Sequence, residues 1–372
     1  MKTFKDLGVH SEYIKGLKEL GIKNPTEIQE KTIPVLLKSD TDFIGLAQTG
    51  TGKTAAYGLP ALNSVNTSSA VVQVLILSPT RELVQQIKKQ LFKFTKYTSE
   101  KIFLEAVYGG EKIEKQISRL QRPTHIIVAT PGRLLDLIEK ETINLRSIKT
   151  VILDEADEML SMGFKKELDS ILNYTSGNRN TWLFSATMPA EIQRIISKYM
   201  NTNAVRVTVN KDSLVNANIE HQYLITSIDQ KTNVVTNLLD KFGEGRGIIF
   251  CRTKLGVQKL VLELKEEGFS VDALEGDMKQ NERDKVMRMF KKGTLQYLVS
   301  TDVSARGIDV NNLAFVMHHQ LPENLEYYTH RSGRTARAGK TGVSIALILP
   351  SELQRVHEIQ KALGIKFKET VS

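Results

Sequence analysis

Short runs of apolar, β-favouring residues punctuate this chain, and each is followed by a polar turn and then by residues at helical spacing. Phe43-Ile44-Gly45-Leu46, Val74-Leu75-Ile76-Leu77, Ile126-Ile127-Val128, Val151-Ile152-Leu153 and Trp182-Leu183-Phe184 form a first series. After Val74 to Leu77 comes Pro79-Thr80-Arg81-Glu82, then Leu83, Val84, Ile87 and Leu91, which share one face of a helix. The recurring unit is therefore strand, loop, helix, and it predicts an α/β fold built on parallel sheets. From about Thr208 to Asn218 the pattern lapses into polar sequence, read as a linker. A second series follows: Gly247-Ile248-Ile249-Phe250, Tyr297-Leu298-Val299, Ala314-Phe315-Val316-Met317 and the run from Gly342 to Ile348, closed by a short helix near Leu353 to Leu363. The expected organisation is a domain over 1–207, a linker over 208–218 and a domain over 219–372. Loops at the carboxyl ends of parallel strands form the ligand crevice, so the chemistry is expected there.

Length agrees with two cores, since 372 residues exceed what one core usually serves. With 51 basic and 42 acidic residues the formal charge is 51 − 42 = +9, which favours an anionic partner such as nucleic acid. No apolar run approaches the length of a membrane span, and the start Met1-Lys2-Thr3-Phe4-Lys5-Asp6 lacks the apolar core of a secretion signal, so a soluble, cytoplasmic protein is expected. Cys251 is the single cysteine; an internal disulfide is excluded, no Cys/His cluster has zinc spacing, and a small buried residue at a strand end is its simplest reading.

The loops carry the specific signals. Ala47-Gln48-Thr49-Gly50-Thr51-Gly52-Lys53-Thr54 follows the first apolar run and opens a helix, so Gly50 and Gly52 let backbone N–H groups close around phosphate oxygens. Lys53 is placed to reach the terminal phosphates and Thr54 a Mg²⁺ ion. Asp154-Glu155-Ala156-Asp157 ends a buried strand, which delivers Asp154 toward the metal and Glu155 toward the attacking water. Together the two elements predict hydrolysis of a nucleoside triphosphate. In the second half His330-Arg331-Ser332-Gly333-Arg334-Thr335-Ala336-Arg337-Ala338-Gly339 is densely basic. Phosphoryl transfer needs positive charge on the γ-phosphate, and Arg331 and Arg334, three apart on one side of a helical turn, are its candidate donors. No second Gly-Lys-Thr loop occurs, so two similar halves are expected to share one nucleotide site.

In this order the motifs resemble those of the DEAD-box RNA helicases of helicase superfamily 2, over nearly the whole chain from Phe4 to Gly339. Besides the segments above, the resemblance rests on Gly21-Ile22-Lys23-Asn24-Pro25-Thr26-Glu27-Ile28-Gln29, Gly109-Gly110, Thr130 to Arg133, Ser185 to Thr187, Ile249 to Lys254, Gln280 with Arg283, and Thr301 to Asp309. It implies two tandem RecA-like domains, each a mostly parallel sheet flanked by helices, with ATP and Mg²⁺ as cofactors. It implies that Gln29 hydrogen-bonds the adenine edge, that Phe4 lies against the adenine, and that Gln48, Thr49, Gly50, Thr51 and Gly52 line the phosphates, with Asp309 meeting the nucleotide from the second half. Core packing also accounts for Phe4, and a hydroxyl-capped turn for Ser185 and Thr187. Under the resemblance Asp157, Ser185 and Thr187 couple the acidic motif to the basic one, and His330 and Arg337 couple hydrolysis to RNA contact. Ile22 stands where the family usually has Phe, and Ala336 where it more often has Gly; the second departure is expected to matter little if the backbone φ is negative.

For RNA the implied contacts are Pro79, Thr80, Arg81, Gly109, Gly110, Thr130, Gly132 and Arg133, with Arg252, Gln280, Arg283, Thr301 and Arg306 from the second half. Gly admits phosphate close to backbone N–H, and Arg or Thr holds phosphate oxygens, which predicts binding without base reading. The activity implied is ATP-dependent separation or remodelling of structured RNA or ribonucleoprotein by a monomer. A superfamily 2 DNA motor and an ATP-gated RNA clamp that seldom unwinds are the alternatives. No recognisable module for choosing a particular RNA is read in the chain, so either low intrinsic RNA selectivity or recruitment by proteins such as those of ribosome assembly or RNA decay is expected.

Overall fold

A computed structural model describes residues 2–48, 50–175, 177–209, 218–305, 313–336 and 341–371. The chain divides into two compact units, Met1–Asn210 and Lys211–Ser372. Unit 1 holds strands β1 (Phe43–Leu46), β2 (Val74–Leu77), β3 (Leu104–Val107), β4 (Ile126–Ala129), β5 (Thr150–Leu153), β6 (Asn180–Ser185) and β7 (Val205–Thr208). Unit 2 holds β8 (Ile219–Ile225), β9 (Gly247–Phe250), β10 (Val271–Leu274), β11 (Tyr297–Ser300), β12 (Phe315–His318), β13 (Gly342–Ile348) and β14 (Phe367–Glu369). The sheet orders are β3-β4-β2-β5-β6-β1-β7 and β10-β11-β9-β12-β13-β8-β14. Every pairing among the described residues is parallel. Each unit is thus a RecA-like sheet flanked by helices.

Alternation along each central strand sends successive side chains to opposite faces. Val74 and Ile76 of β2 pack in one cluster with Tyr57, Val84, Ile87 and Leu91, while Leu75 and Leu77 pack in another with Leu134, Leu168 and Ile192. Covered on both faces, such strands read as unbroken apolar runs, and each fully buried aliphatic side chain contributes roughly 1.5–3 kcal/mol. The edges differ. β3, β7, β10 and β14 are the outer strands of the two sheets, and Glu105, Arg206, Asp272 and Lys368 interrupt their apolar pattern. No apolar run announces them in the sequence for that reason. Thr208, expected in the linker, is instead the last residue of β7, and Val209 N still donates to Leu46 O. The remainder of the expected linker, up to residue 217, lies outside the described residues. Ile22 is packed against the first core cluster, and Cys251 is buried at the end of β9, where burial pushes its thiol up to about 12. Among the described residues no helix is long and apolar enough to cross a membrane.

Candidate functional site

The phosphate loop leaves β1 at Leu46 and enters the helix Lys53–Asn63. Two turns of its backbone require positive φ, +84° at Gly50 and +94° at Gly52. Gly52 is also a close approach, because a Cβ there would stand 2.4 Å from Gln29 Nε2. The Gln29 amide donates to Gly52 O at 3.0 Å and accepts from Thr26 N at 3.0 Å, so it caps its own helix and latches the loop at once. Thr51 Oγ1 donates to Gln48 O, and Lys53 Nζ donates to Ala47 O at 3.0 Å. Thr54 begins the helix beside Lys53. Phe4 is only 2% exposed and belongs to the core cluster, so it is a packing residue here and presents no ring face to a base.

The acidic motif leaves β5, two strands from β1. Asp154 N donates to Leu77 O, and Asp154 is buried with Tyr57 Oη on its Oδ2 at 3.0 Å. Burial raises the Asp154 carboxyl to about 6, against the pull of the Lys53 ammonium and with help from the charge of Glu155. Glu155 adopts φ +52°, a left-handed conformation unusual for a side-chain-bearing residue and a mark of a functional turn. Asp157 Oδ2 accepts from both Thr187 N and Thr187 Oγ1 at 2.8 Å, and Ser185 Oγ donates to Thr187 O at 2.7 Å. Ala47 N donates to Ser185 O. The segment after β6 therefore ties the acidic motif to the phosphate loop through hydrogen bonds, more than a hydroxyl-capped turn requires.

Asp154 Oδ1 and Asp157 Oδ1 are buried without a hydrogen-bond partner among the described residues. A bare buried carboxylate oxygen is costly unless a cation or water meets it, so the residues present fit a magnesium ion at Asp154.

The remaining loops of unit 1 leave β2, β4 and β3, the three adjacent strands at one side of the sheet. Thr80 caps the helix Arg81–Phe94 with its Oγ1 on Leu83 N, next to buried Pro79. Gly109 and exposed Gly110, at φ +83°, follow β3. Thr130 precedes the helix Pro131–Glu139, where a Cβ on Gly132 would meet nothing within 4 Å. Arg133 Nη1 donates to Glu111 O at 2.8 Å and so braces the glycine loop. The Arg81 guanidinium lies 5.1 Å from the Tyr108 ring centroid, a cation–aromatic pair at the head of that loop which the motifs do not indicate.

In unit 2 the corresponding loops gather in the same way. Arg252, after β9, donates from Nη2 to Leu321 O. Gln280 opens the helix Gln280–Lys292 and bonds Asp284, while Arg283 Nη2 donates to Ser304 O and Thr301 Oγ1 donates to Ser304 Oγ. The basic motif corrects two expectations. The helix Leu325–Ser332 ends at Gly333, so Arg334 lies in the turn beyond it and does not share a helical face with Arg331. Arg331 is 2% exposed, with Nε and Nη2 on the two carboxylate oxygens of Asp302 at 2.5 and 2.7 Å, Nη1 on Gln320 O at 2.8 Å, and its guanidinium 5.1 Å from the Phe250 ring centroid. Buried and paired face to face with Asp302, the guanidinium is turned into the fold, and Arg331 is an internal brace. Ala336 has φ +54°, so the condition under which its replacement of Gly would matter little is not met. His330 is half-buried on the same helix; Thr49, Arg306, Asp309 and Arg337 lie outside the described residues.

The DEAD/DEAH box helicase family matches residues 26–195 and the helicase conserved C-terminal domain matches residues 230–339. The DEAD-box ATP-dependent RNA helicase CshA of Geobacillus kaustophilus is 42% identical over 368 residues, 99% of this chain and 78% of that protein. The ATP-dependent RNA helicase CshA of Limosilactobacillus reuteri is 41% identical over 98% of this chain and 72% of its own length. Among solved structures, S. cerevisiae Dbp5 bound to RNA and ADP BeF3 superposes with a TM-score of 0.92 at 31% identity, covering 100% of this chain and 96% of that one. With both helicase domains matched in order and relatives at this identity over nearly the whole of this chain, the chain belongs to the DEAD-box ATP-dependent RNA helicase family.

Proposed function

We propose that this protein hydrolyses ATP in response to RNA and uses the cycle to separate or remodel short structured RNA, and that it works in the cytoplasm. The observation that carries the proposal is the strand order of unit 1. β5, β6 and β1 lie side by side and bring Asp154, Glu155, Thr187 and Lys53 to one edge, while β3, β4 and β2 bring the glycine and threonine loops to the same edge. A nucleotide-bearing half and an RNA-bearing half thus abut along the Asp154–Leu77 hydrogen bond.

Thr54 and Asp154 would hold magnesium, which supplies positive charge to the phosphates. Lys53 neutralises the terminal phosphates after leaving Ala47 O, and Glu155 orients and deprotonates the attacking water. Asp157, Thr187 and Ser185 keep the carboxylates and the phosphate loop in register. Gln29 reads the adenine edge with an amide that both donates and accepts. Arg334 supplies transition-state charge from unit 2, and His330 and Arg337 couple hydrolysis to RNA contact. RNA is held by its sugar-phosphate backbone along Thr80, Arg81, Gly109, Gly110, Thr130 and Gly132.

Steady-state phosphate release measured with no nucleic acid, with single-stranded RNA and with DNA of the same sequence tests the reading. RNA-selective stimulation is expected; equal stimulation by DNA rejects the RNA specificity. Glu155→Gln is expected to retain ATP and RNA and to lose turnover by about 100-fold or more, and normal turnover would remove Glu155 from its role.

A further inference from the structure

Tyr57 stands one helical turn past Lys53 and is fully buried, its ring 5.2 Å from that of Phe184. A phenyl ring would fill the same space, so the hydroxyl is the part that packing does not explain. That hydroxyl donates to Asp154 Oδ2 at 3.0 Å. The other oxygen of the same carboxylate, Oδ1, is buried and has no hydrogen-bond partner among the described residues. The phenol therefore holds one oxygen of the carboxylate and leaves the other bare. Burial and the charge of Asp154 push the phenol well above its ordinary range, so it remains a donor at neutral pH.

We propose that Tyr57 is a positioning residue for the metal: its hydroxyl orients Asp154 so that Oδ1 is the oxygen left for the cation. This rests on the reading that Asp154 and Thr54 hold magnesium. Partners of metal ligands act by setting ligand orientation, and their loss typically weakens metal binding about 10- to 100-fold. A phenol that merely satisfied the core would affect folding and leave the metal's share of nucleotide binding alone.

Magnesium chloride is titrated against a fluorescent ATP analogue bound to the whole protein, for the native chain, Tyr57→Phe and Asp154→Asn, with analogue affinity also measured in EDTA. For Tyr57→Phe the magnesium half-saturation is expected to rise about 10-fold while the affinity in EDTA is unchanged. An unmoved half-saturation, or an equal loss of affinity with and without magnesium, overturns the role of Tyr57. Asp154→Asn separates that failure from failure of the underlying reading, because a native magnesium response in Asp154→Asn would remove Asp154 from the metal. Melting curves without ligand confirm that each variant is folded, and manganese resonance spectra at low temperature give the same comparison should Tyr57→Phe melt early.

Discussion

The two units share one strand order and differ in what their loops carry. β1 of unit 1 and β8 of unit 2 occupy the same place in their sheets, and each leads to a helix that opens on lysine and threonine, Lys53-Thr54 and Lys231-Thr232. Before Lys53 the glycines allow a wide turn that faces its amine toward the loop's own carbonyl, Ala47 O. Before Lys231 stands Ser227-Ile228-Asp229-Gln230 with no glycine, and Lys231 Nζ is held inside the fold by His319 O at 2.7 Å and Leu347 O at 3.2 Å. The positions that follow β5 carry Asp154 and Glu155, whereas those that follow β12 carry His319 and Gln320. The scaffold thus provides a cradle twice, and only in unit 1 do the loop residues suit it to phosphate and metal. Thr80 and Thr253 show what the two units keep in common, since each caps the helix after the equivalent strand through its hydroxyl.

Substitutions at matched places test this comparison. The largest effect is expected at Arg331, where Arg331→Met leaves the Asp302 carboxylate half-enclosed without its partner and lowers stability by about 3–5 kcal/mol in a urea melt. Arg334→Ala should instead reduce turnover per folded molecule, and turnover kept in Arg334→Ala but lost per folded molecule in Arg331→Met would restore Arg331 as the phosphate-facing residue. Lys53→Ala should depress ATP hydrolysis by roughly 100- to 1,000-fold with little loss of stability. Lys231→Met should do the opposite, costing about 1–3 kcal/mol by stranding two buried carbonyls while the remaining activity per folded molecule persists.

Acid should also divide the units. Burial lowers His221 and His319 to about 4 and His318 well below its ordinary range, and all three are in unit 2; unit 1 has one lowered histidine, His125. Each folded state holds its imidazole neutral, so the unfolded chain binds the extra protons as pH falls below about 6.5. Stability from these groups is complete above that pH and is lost between about 6.5 and 4, by about 1.4 kcal/mol per pH unit for each strongly lowered histidine. The single tryptophan, Trp182, reports unit 1 alone. Helicity should therefore melt before tryptophan fluorescence at pH 5, and coincident transitions at that pH would contradict the assignment. The smallest effect is expected for Ala336→Gly. Relief of the left-handed backbone is worth about 1–2 kcal/mol, and loss of a buried methyl costs about 0.8 kcal/mol, so a small rise in melting temperature follows.

The amino-acid pattern alone was enough for the α/β class, for most central strands and for the glycine turn proposed to hold phosphates. Runs such as Val74-Leu75-Ile76-Leu77 are legible because a strand covered on both faces must be apolar throughout, and Gly50, Gly52 and Lys53 because few chemical purposes besides phosphate binding need those types at that spacing. Edge strands such as β3 and β14 are half-solvated and carry no such run. Tyr57 was within reach, since it lies four residues after Lys53 on one helix face, but its bond to Asp154 joins positions 97 residues apart. Arg331 shows the sharper limit. Its motif marks it as one of several arginines, and only the arrival of Asp302 and the carbonyl of Gln320 around it decides that it is spent internally. Local sequence determines backbone conformation and burial because those depend on near neighbours. Which charged groups face a ligand and which cancel one another depends on contacts between distant segments, and the tertiary structure alone settles that.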